Sequence, residues 1–221
     1  MRIATWNIDR LHKSISEIEK QIEIVNADIL VLTETDSRLQ LKYPYSCFSS
    51  KLCELDSALY SATESRIAIY SKFPVASQLQ TYNSYETLAV EIMSENSRFL
   101  IYGIVMGAFG NRRPEFIGEV QNQMRDIERF YYKKKAICVC GDFNLSFSDN
   151  YYFTEKGRRT VLEAFSKYEL NISTAGQKEC IDHIAVSESL LKNHKIIVGE
   201  WNHNKKLSDH KGVYVDITPE I

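Results

Sequence analysis

Asp142 and Asn144 stand two positions apart in the run Gly141-Asp142-Phe143-Asn144, directly after the apolar stretch Ala136-Ile137-Cys138-Val139-Cys140. That stretch reads as a fully buried strand, and the four residues after it as its C-terminal turn. A carboxylate there can act as a base, and a carboxamide can donate a hydrogen bond to an anion. If the strand continues, both side chains point to one side, because side chains alternate along a strand. A plain turn is the competing reading, since Gly, Asp and Asn are favoured in turns anyway.

The same pattern recurs at other strand ends. Trp6-Asn7-Ile8-Asp9 closes a first apolar run and Thr33-Glu34-Thr35 a second; Ile181-Asp182-His183-Ile184 and Leu207-Ser208-Asp209-His210 come late in the chain. Each alone also reads as a turn or a cap: Asn7 as a strand-end turn residue, Asp9 as a cap. Glu34 resists that explanation most, because a carboxylate at a buried strand end is costly without a partner. Together the five sites offer carboxylates, carboxamides and two histidines, and oxygen-rich sets of this kind suit Mg²⁺ or Mn²⁺. His183 adjoins Asp182 and points the opposite way in a strand, so it reads as structural. His12, His194 and His203 read as surface residues.

The elements that must carry these residues follow from periodicity. Residues 2–8 read as a strand. Ser14 and Glu17 form a possible capping box ahead of Ile15, Ile18, Ile22 and Val25 at helical spacing. A second buried strand covers 28–33 and ends at Glu34. A third, 67–71, is stopped by Pro74. Residues 87–93 and 98–106 pair through the turn Ser94-Glu95-Asn96-Ser97. Pro114 opens a long helix, with Ile117, Val120, Met124, Ile127 and Tyr131 as its buried stripe. The run Lys133-Lys134-Lys135 ends that helix, where cations are favoured. Strand 136–140, a helix near 157–168, and strands 180–186, 194–198 and 211–217 complete the chain. Strand–helix–strand units alternate with adjacent strand pairs, which is an α/β arrangement with mixed sheets.

Composition sets the frame. A chain of 221 residues fits one domain, or two at most; one domain over 1–221 is expected. The 4 prolines and 9 glycines argue against long linkers. A formal net charge of −2 provides no global electrostatic footprint for nucleic acid, although it leaves room for a local basic patch. The cysteines, Cys47, Cys53, Cys138, Cys140 and Cys180, are odd in number and contain no pair of CxxC motifs, which argues against a disulfide framework and a zinc site. Cys138 and Cys140 share one strand face and read as small apolar residues. The chain enters a strand at Met1-Arg2-Ile3 without the apolar core of a leader peptide. Its most apolar uncharged stretch, 99–110, is too short to span a membrane. A soluble, cytoplasmic monomer is expected, without membrane partners.

With these motifs in order, the chain resembles the endonuclease/exonuclease/phosphatase superfamily, which includes exonuclease III, abasic-site endonucleases and deoxyribonuclease I. The matching segments are TWNID at 5–9, LTET at 32–35, RIAIYSKFPV at 66–75, GDFN at 141–144, IDHIAVS at 181–187 and LSDHKGV at 207–213. The resemblance implies a four-layer α/β sandwich, two mixed β-sheets face to face with helices outside. It also implies roles. Glu34 is the main metal ligand, with Asn7, Asp9 and Asp209 at the same metal site. Asp142 orients or deprotonates the attacking water, and Asn144 donates to the phosphate. His210 contacts the scissile phosphate, and Asp182 orients it. The implied activity is Mg²⁺-dependent phosphoester hydrolysis, with Mn²⁺ as a substitute. Such chemistry concentrates negative charge, which a divalent cation and charged donors offset.

One departure stands out. Family members commonly carry a His or Tyr just after the strand matching 98–106, and here Val105 or Met106 stands there. Arg112 and Arg113 follow closely and are candidate substitutes, since guanidinium suits phosphate; a solvated loop is the alternative. Tyr102 is a second alternative donor, although its position favours the core. For the substrate, DNA or RNA is favoured. Arg112, Arg113, Arg158, Arg159, Lys205 and Lys206 are the candidate backbone contacts, and Tyr151, Tyr152, Phe153 and Trp201 the candidate stacking residues. The alternatives are a phosphatase or phosphodiesterase acting on a small phosphorylated molecule, and a catalytically weakened binding protein of the same fold.

Overall fold

The structure, a computed structural model, describes residues 1–94, 97–131 and 136–220. Glu95 and Asn96 of the expected turn, and Lys133-Lys134-Lys135, lie outside the described residues. In chain order the elements are β1 (Arg2–Asn7), α1 (Ile15–Val25), β2 (Ile29–Asp36), β3 (Tyr45–Phe48), β4 (Glu64–Ser71), β5 (Val75–Leu79), β6 (Thr87–Ser94), β7 (Ser97–Val105), α2 (Phe116–Tyr131), β8 (Ala136–Asp142), α3 (Glu155–Lys167), β9 (Leu170–Ile172), β10 (Asp182–Ser187), α4 (Glu188–Leu191), β11 (His194–Trp201) and β12 (Gly212–Pro219).

Two six-stranded mixed sheets result, in the orders β11-β12-β1-β2-β4-β3 and β5-β6-β7-β8-β10-β9. Each has one parallel pair at its centre, β1 with β2 and β7 with β8, and antiparallel pairs around it. α1 makes the first parallel crossover and α2 the second. Parallel neighbours need such a crossover, and the helices then cover the outer faces.

The central strands read as unbroken apolar runs because both their faces are buried. On β2, Ile29 and Val31 face the other sheet, while Leu30 and Leu32 face the α1 side. On β8, Cys138 and Cys140 join the inter-sheet core, and Ile137 and Val139 pack under α2 and α3. The layers are therefore α, β, β, α, the four-layer sandwich. Gly103 sits where the sheets approach most closely: a Cβ there would lie 2.9 Å from Ile67 Cγ2 and 3.2 Å from Val31 Cγ1.

Several elements differ from the sequence reading. The strands β3, β5 and β9 carry no long apolar run and escaped it; all three are edge strands, and β3 and β5 have no fully buried residue. β2 does not stop at Glu34 but runs on to Asp36, with Glu34 itself at φ 47°. Helix α2 begins at Phe116, two residues past Pro114. Its buried stripe is Phe116, Val120, Gln123, Met124, Ile127 and Phe130, with Ile117 and Tyr131 at its edge. At α1 the Ser14 hydroxyl accepts the Glu17 amide at 3.4 Å, half of the expected capping box. Among the described residues no helix is long and apolar enough to cross a membrane.

Candidate active site

The alternation of the central strands delivers the site. Ile3 and Asn7 on β1, Cys140 and Asp142 on β8, and Asp182 and Ile184 on β10 lie in the rows that face between the sheets. Where the apolar rows end, the polar residues meet. Asn7 Nδ2 donates to Asp142 Oδ2 at 3.2 Å, and the Asn7 amide donates to Asp182 Oδ1 at 3.0 Å. Asp142 Oδ1 accepts the Asn144 amide at 2.9 Å. Gly141, at φ 141°, lets β8 pass beside β7: a Cβ there would fall 2.0 Å from the Ile104 carbonyl oxygen.

His210 arrives from the loop before β12 and is fixed from several sides. Its Nδ1 lies 2.5 Å from Asp182 Oδ2. Its amide donates to Ser208 Oγ, which in turn donates to the Asn7 carbonyl at 2.7 Å. Its own carbonyl accepts Trp6 Nε1 and Asn202 Nδ2. Buried groups held this way lose little further freedom when substrate binds.

Charge inside this pocket is set by burial and by close neighbours. Burial pushes the Asp142 carboxyl up; Asp182 and Glu34 add to this while His210 and the Asn144 amide oppose it, leaving it at about 7. Burial would pull His210 down, but the attraction of Asp182 and Asp142, the Asp182 hydrogen bond and Asp209 outweigh it, raising the imidazole to about 10. His210 is thus a cation at neutral pH beside a carboxyl poised to exchange protons.

Glu34 occupies the other side. Its backbone is left-handed, a conformation that costs on the order of 1–3 kcal/mol outside glycine and is held only when the surroundings demand it. Its carboxylate faces Arg66 Nη1 at 3.5 Å and Arg10 Nε at 3.8 Å and accepts no hydrogen bond among the described residues. Asp9 lies in a 3-10 turn, Asp9–Leu11, and its Oδ1 is 3.0 Å from His12 Nδ1. Asp209 has a largely exposed side chain, with Oδ1 3.8 Å from His210 Nε2. Glu34 lies within electrostatic reach of Asp142. Asp142, Asp182 and His210 are the set of His, Cys, Asp or Glu ligand atoms found within 4.8 Å of one another among the described residues. Glu34 fits a hard cation better: an oxygen donor free of hydrogen bonds among the described residues, on the strand next to Asn7.

Other expectations sort cleanly. Asn144 has φ 50°, so strand alternation no longer relates it to Asp142, and its Nδ2 donates to Met106 O at 2.9 Å and Gly107 O at 3.3 Å. Donation to a phosphate would require one of those bonds to be released. Arg112 and Arg113 are exposed on the loop after Asn111, and the structure brings neither to the Asp142 cluster. Tyr102 is core, its hydroxyl donating to Asp126. Arg158 is tied to the Ser146 and Asp149 carbonyls over the Phe153 ring, and Trp201 packs edge-on against Trp6. His183 accepts from the Thr174 hydroxyl at Nδ1 and donates to the Leu145 carbonyl from Nε2; burial lowers it to about 4, a neutral core residue. Lys205 does reach the site, with Tyr151, Tyr152, Lys211, Asp209 and His210 around a cleft of about 310 Å³. Arg10 was not found from sequence, and Arg66 and Ser208, although they lie in the segments RIAIYSKFPV and LSDHKGV, were given no site role there; only β-pairing or loop closure brings each to the site.

The geometry agrees with the comparison across the whole chain. The profile of the endonuclease/exonuclease/phosphatase family matches residues 4–210. The chain belongs to that family. Membership carries phosphoester hydrolysis as its general chemistry. No curated protein sequence matches the chain. The fold is shared with a 3′ phosphatase, NExo, from Neisseria bound to a product DNA hairpin, at 17% identity and a TM-score of 0.71 over 98% of this chain and 99% of that one. It is shared with an AP endonuclease from Archaeoglobus fulgidus, at 13% identity and a TM-score of 0.68 over 98% and 99%. A Staphylococcus aureus beta toxin with bound magnesium ions aligns at 16% identity and a TM-score of 0.66 over 97% and 98%.

Proposed function

We propose that the chain is a divalent-metal-dependent phosphoesterase that cleaves phosphodiester bonds in nucleic acid. The single observation that carries this reading is the buried Asp142 beside the 2.5 Å Asp182–His210 pair. Asp142, oriented by Asn7 Nδ2 and the Asn144 amide, takes the proton of the attacking water; a carboxyl near the ambient pH suits that exchange. Asp182 fixes the imidazole through Nδ1, leaving Nε2–H of a cationic His210 to donate to the phosphoryl oxygen where charge accumulates. Glu34, with Asn7, Asp9 and Asp209, would hold Mg²⁺ or Mn²⁺, which when bound supplies positive charge against that oxygen.

A polymer substrate is favoured by the cleft at His210, where Tyr151 and Tyr152 offer stacking faces and Lys205 and Lys211 attract phosphate. Lys205 Nζ sits 4.2 Å over the Tyr151 ring and donates to its hydroxyl at 2.7 Å. One observation favours the second reading, a small phosphorylated substrate: the cleft, at about 310 Å³, has the volume of a small-ligand pocket. The test is a panel of abasic duplex DNA, single-stranded DNA, RNA, nucleotides and inositol phosphates with Mg²⁺ or Mn²⁺. Turnover of the nucleic acids is expected. Turnover of only the small esters would select the second reading, and metal binding with no hydrolysis would select a binding protein.

A further inference from the structure

Arg66 is anomalous among the charged residues. It is 5% exposed on β4, yet among the described residues none of its five donors makes a hydrogen bond, and Nε is fully buried without a hydrogen-bond partner. A buried guanidinium is normally satisfied by carboxylates or carbonyls, because desolvation without hydrogen bonds is strongly unfavourable. Here its only ion-pair partner among the described residues is Glu34, at 3.5 Å.

The surroundings repeat the anomaly. Glu64 Oε2 and Ser65 Oγ on β4, and Thr33 Oγ1 and Thr35 Oγ1 on β2, are also buried without a hydrogen bond among the described residues, Glu64 Oε2 facing only Arg10 Nη1 at 3.7 Å. Thr35 lies opposite Ser65 in the ladder, so these atoms flank Glu34 and Arg66 on two adjacent strand ends. The ladder skips Glu34, whose backbone is turned out of strand geometry. The charge of Arg66 also reaches Glu119 at the start of α2, whose carboxyl is raised by burial and by Glu86 and is countered by the Gly107 amide and by Arg66. Arg66 therefore lies within electrostatic reach of Glu34 and of Glu119, whose carboxyl also feels the amide of Gly107 in the Met106–Gly107 loop. That loop is where Val105 and Met106, both buried apolar side chains, offer no donor.

We propose that Arg66 is a phosphate-binding residue of this site, and that its uncommitted guanidinium supplies the donor the chain lacks after β7. This rests on the phosphoesterase reading of the site. A planar guanidinium can give two parallel hydrogen bonds to one phosphate, which a solvated loop arginine gives only after being ordered. Arg66 is already ordered by its burial; Arg112 and Arg113 are not.

The probe is inorganic phosphate, titrated calorimetrically into wild-type protein in EDTA and again with Mg²⁺. Arg66→Gln should weaken phosphate binding by roughly 10-fold or more, the value of hydrogen bonds to a charged group. Arg66→Lys should lose less. The double variant Arg112→Ala/Arg113→Ala should bind as wild type does. Thermal unfolding and circular dichroism check that each variant is folded; if Arg66→Gln does not fold, Arg66→Lys and the loop double variant still decide the matter. Phosphate binding unchanged in Arg66→Gln or in Arg66→Lys, lost in the loop variant, or undetectable in wild type would overturn the proposal. Hydrolysis by wild type with phosphate binding indifferent to Arg66 would remove the Arg66 proposal alone. Arg66-dependent phosphate binding without hydrolysis of any ester would instead remove the phosphoesterase reading.

Discussion

The two sides of the site are made from neighbouring strand ends, yet they are bonded in opposite ways. At Asp142, Asn7, Asp182 and His210 the polar groups are linked by hydrogen bonds of 2.5–3.2 Å. At Glu34, Arg10, Glu64 and Arg66 the charges approach only to 3.5–3.8 Å, and buried polar atoms are left over. The first side has its geometry before any ligand arrives, as proton transfer and orientation require. The second is unsaturated: its charges balance loosely, but its donors and acceptors stay open. On the proposed reading, the difference puts chemistry on the Asp142 side and ligand capture on the Glu34 side.

Substitution on the bonded side should have the largest effect. Asp142→Asn keeps the shape and removes the base, so hydrolysis of a phosphodiester by folded protein should fall by about 10³-fold. A loss below tenfold would put the base elsewhere. Asp182→Asn should cost about 10²-fold and also reshape the pH profile. Wild-type rate should rise as Asp142 loses its proton near pH 7 and fall as His210 loses its own near pH 10. Because Asp182 raises His210, the alkaline limb should move to lower pH in Asp182→Asn. An unmoved limb would detach His210 from that limb.

Smaller shifts test the unsaturated side. Mg²⁺ at about ten times its dissociation constant should stabilise the protein by ~1.4 kcal/mol, a melting increase of about 3–5 °C for a chain this size. Glu34→Gln should abolish the increase, while Asp142→Asn should keep most of it. The reverse result would exchange the two sides. The smallest effect is on stability against pH. The folded pKa of His210 lies above its unfolded value, so its contribution is fully present below about pH 6.5 and is lost as pH rises through about 10. The melting advantage of wild type over His210→Gln should shrink across that interval, as followed by thermal unfolding at several pH values.

How far the sequence reached varies by residue and for physical reasons. Asp142 and Asn7 were legible because each terminates an apolar run on the inward row, and Asp182 because it opens one; burial on both faces makes such runs conspicuous. Glu34 was legible as an isolated carboxylate at a strand end, but its left-handed backbone was not. Nothing in Thr33-Glu34-Thr35 signals that the ladder will skip one residue. Asn144 was legible as a partner of Asp142, but its amide protons go to the Met106 and Gly107 carbonyls, a contact between segments 37 and 38 residues apart. Strands β3, β5 and β9 were not legible, because their pairing rather than their composition makes them strands.

The sequence by itself determined the layers and the ends. Runs that are apolar on both faces must be central strands, helices with one apolar stripe must cover them, and the polar residues closing those runs must gather at one rim. Tertiary structure alone decided which of those residues touch. Asn7 reaches Asp142 and Asp182 across 135 and 175 residues of chain, and Ser208 reaches Asn7 across 201. It also decided that Arg66, which opens the RIAIYSKFPV segment but had no role in the sequence reading, is buried with its donors open beside Glu34. Local patterns encode which face a side chain occupies; sheet order and register, set by the packing of the whole sandwich, determine its neighbour.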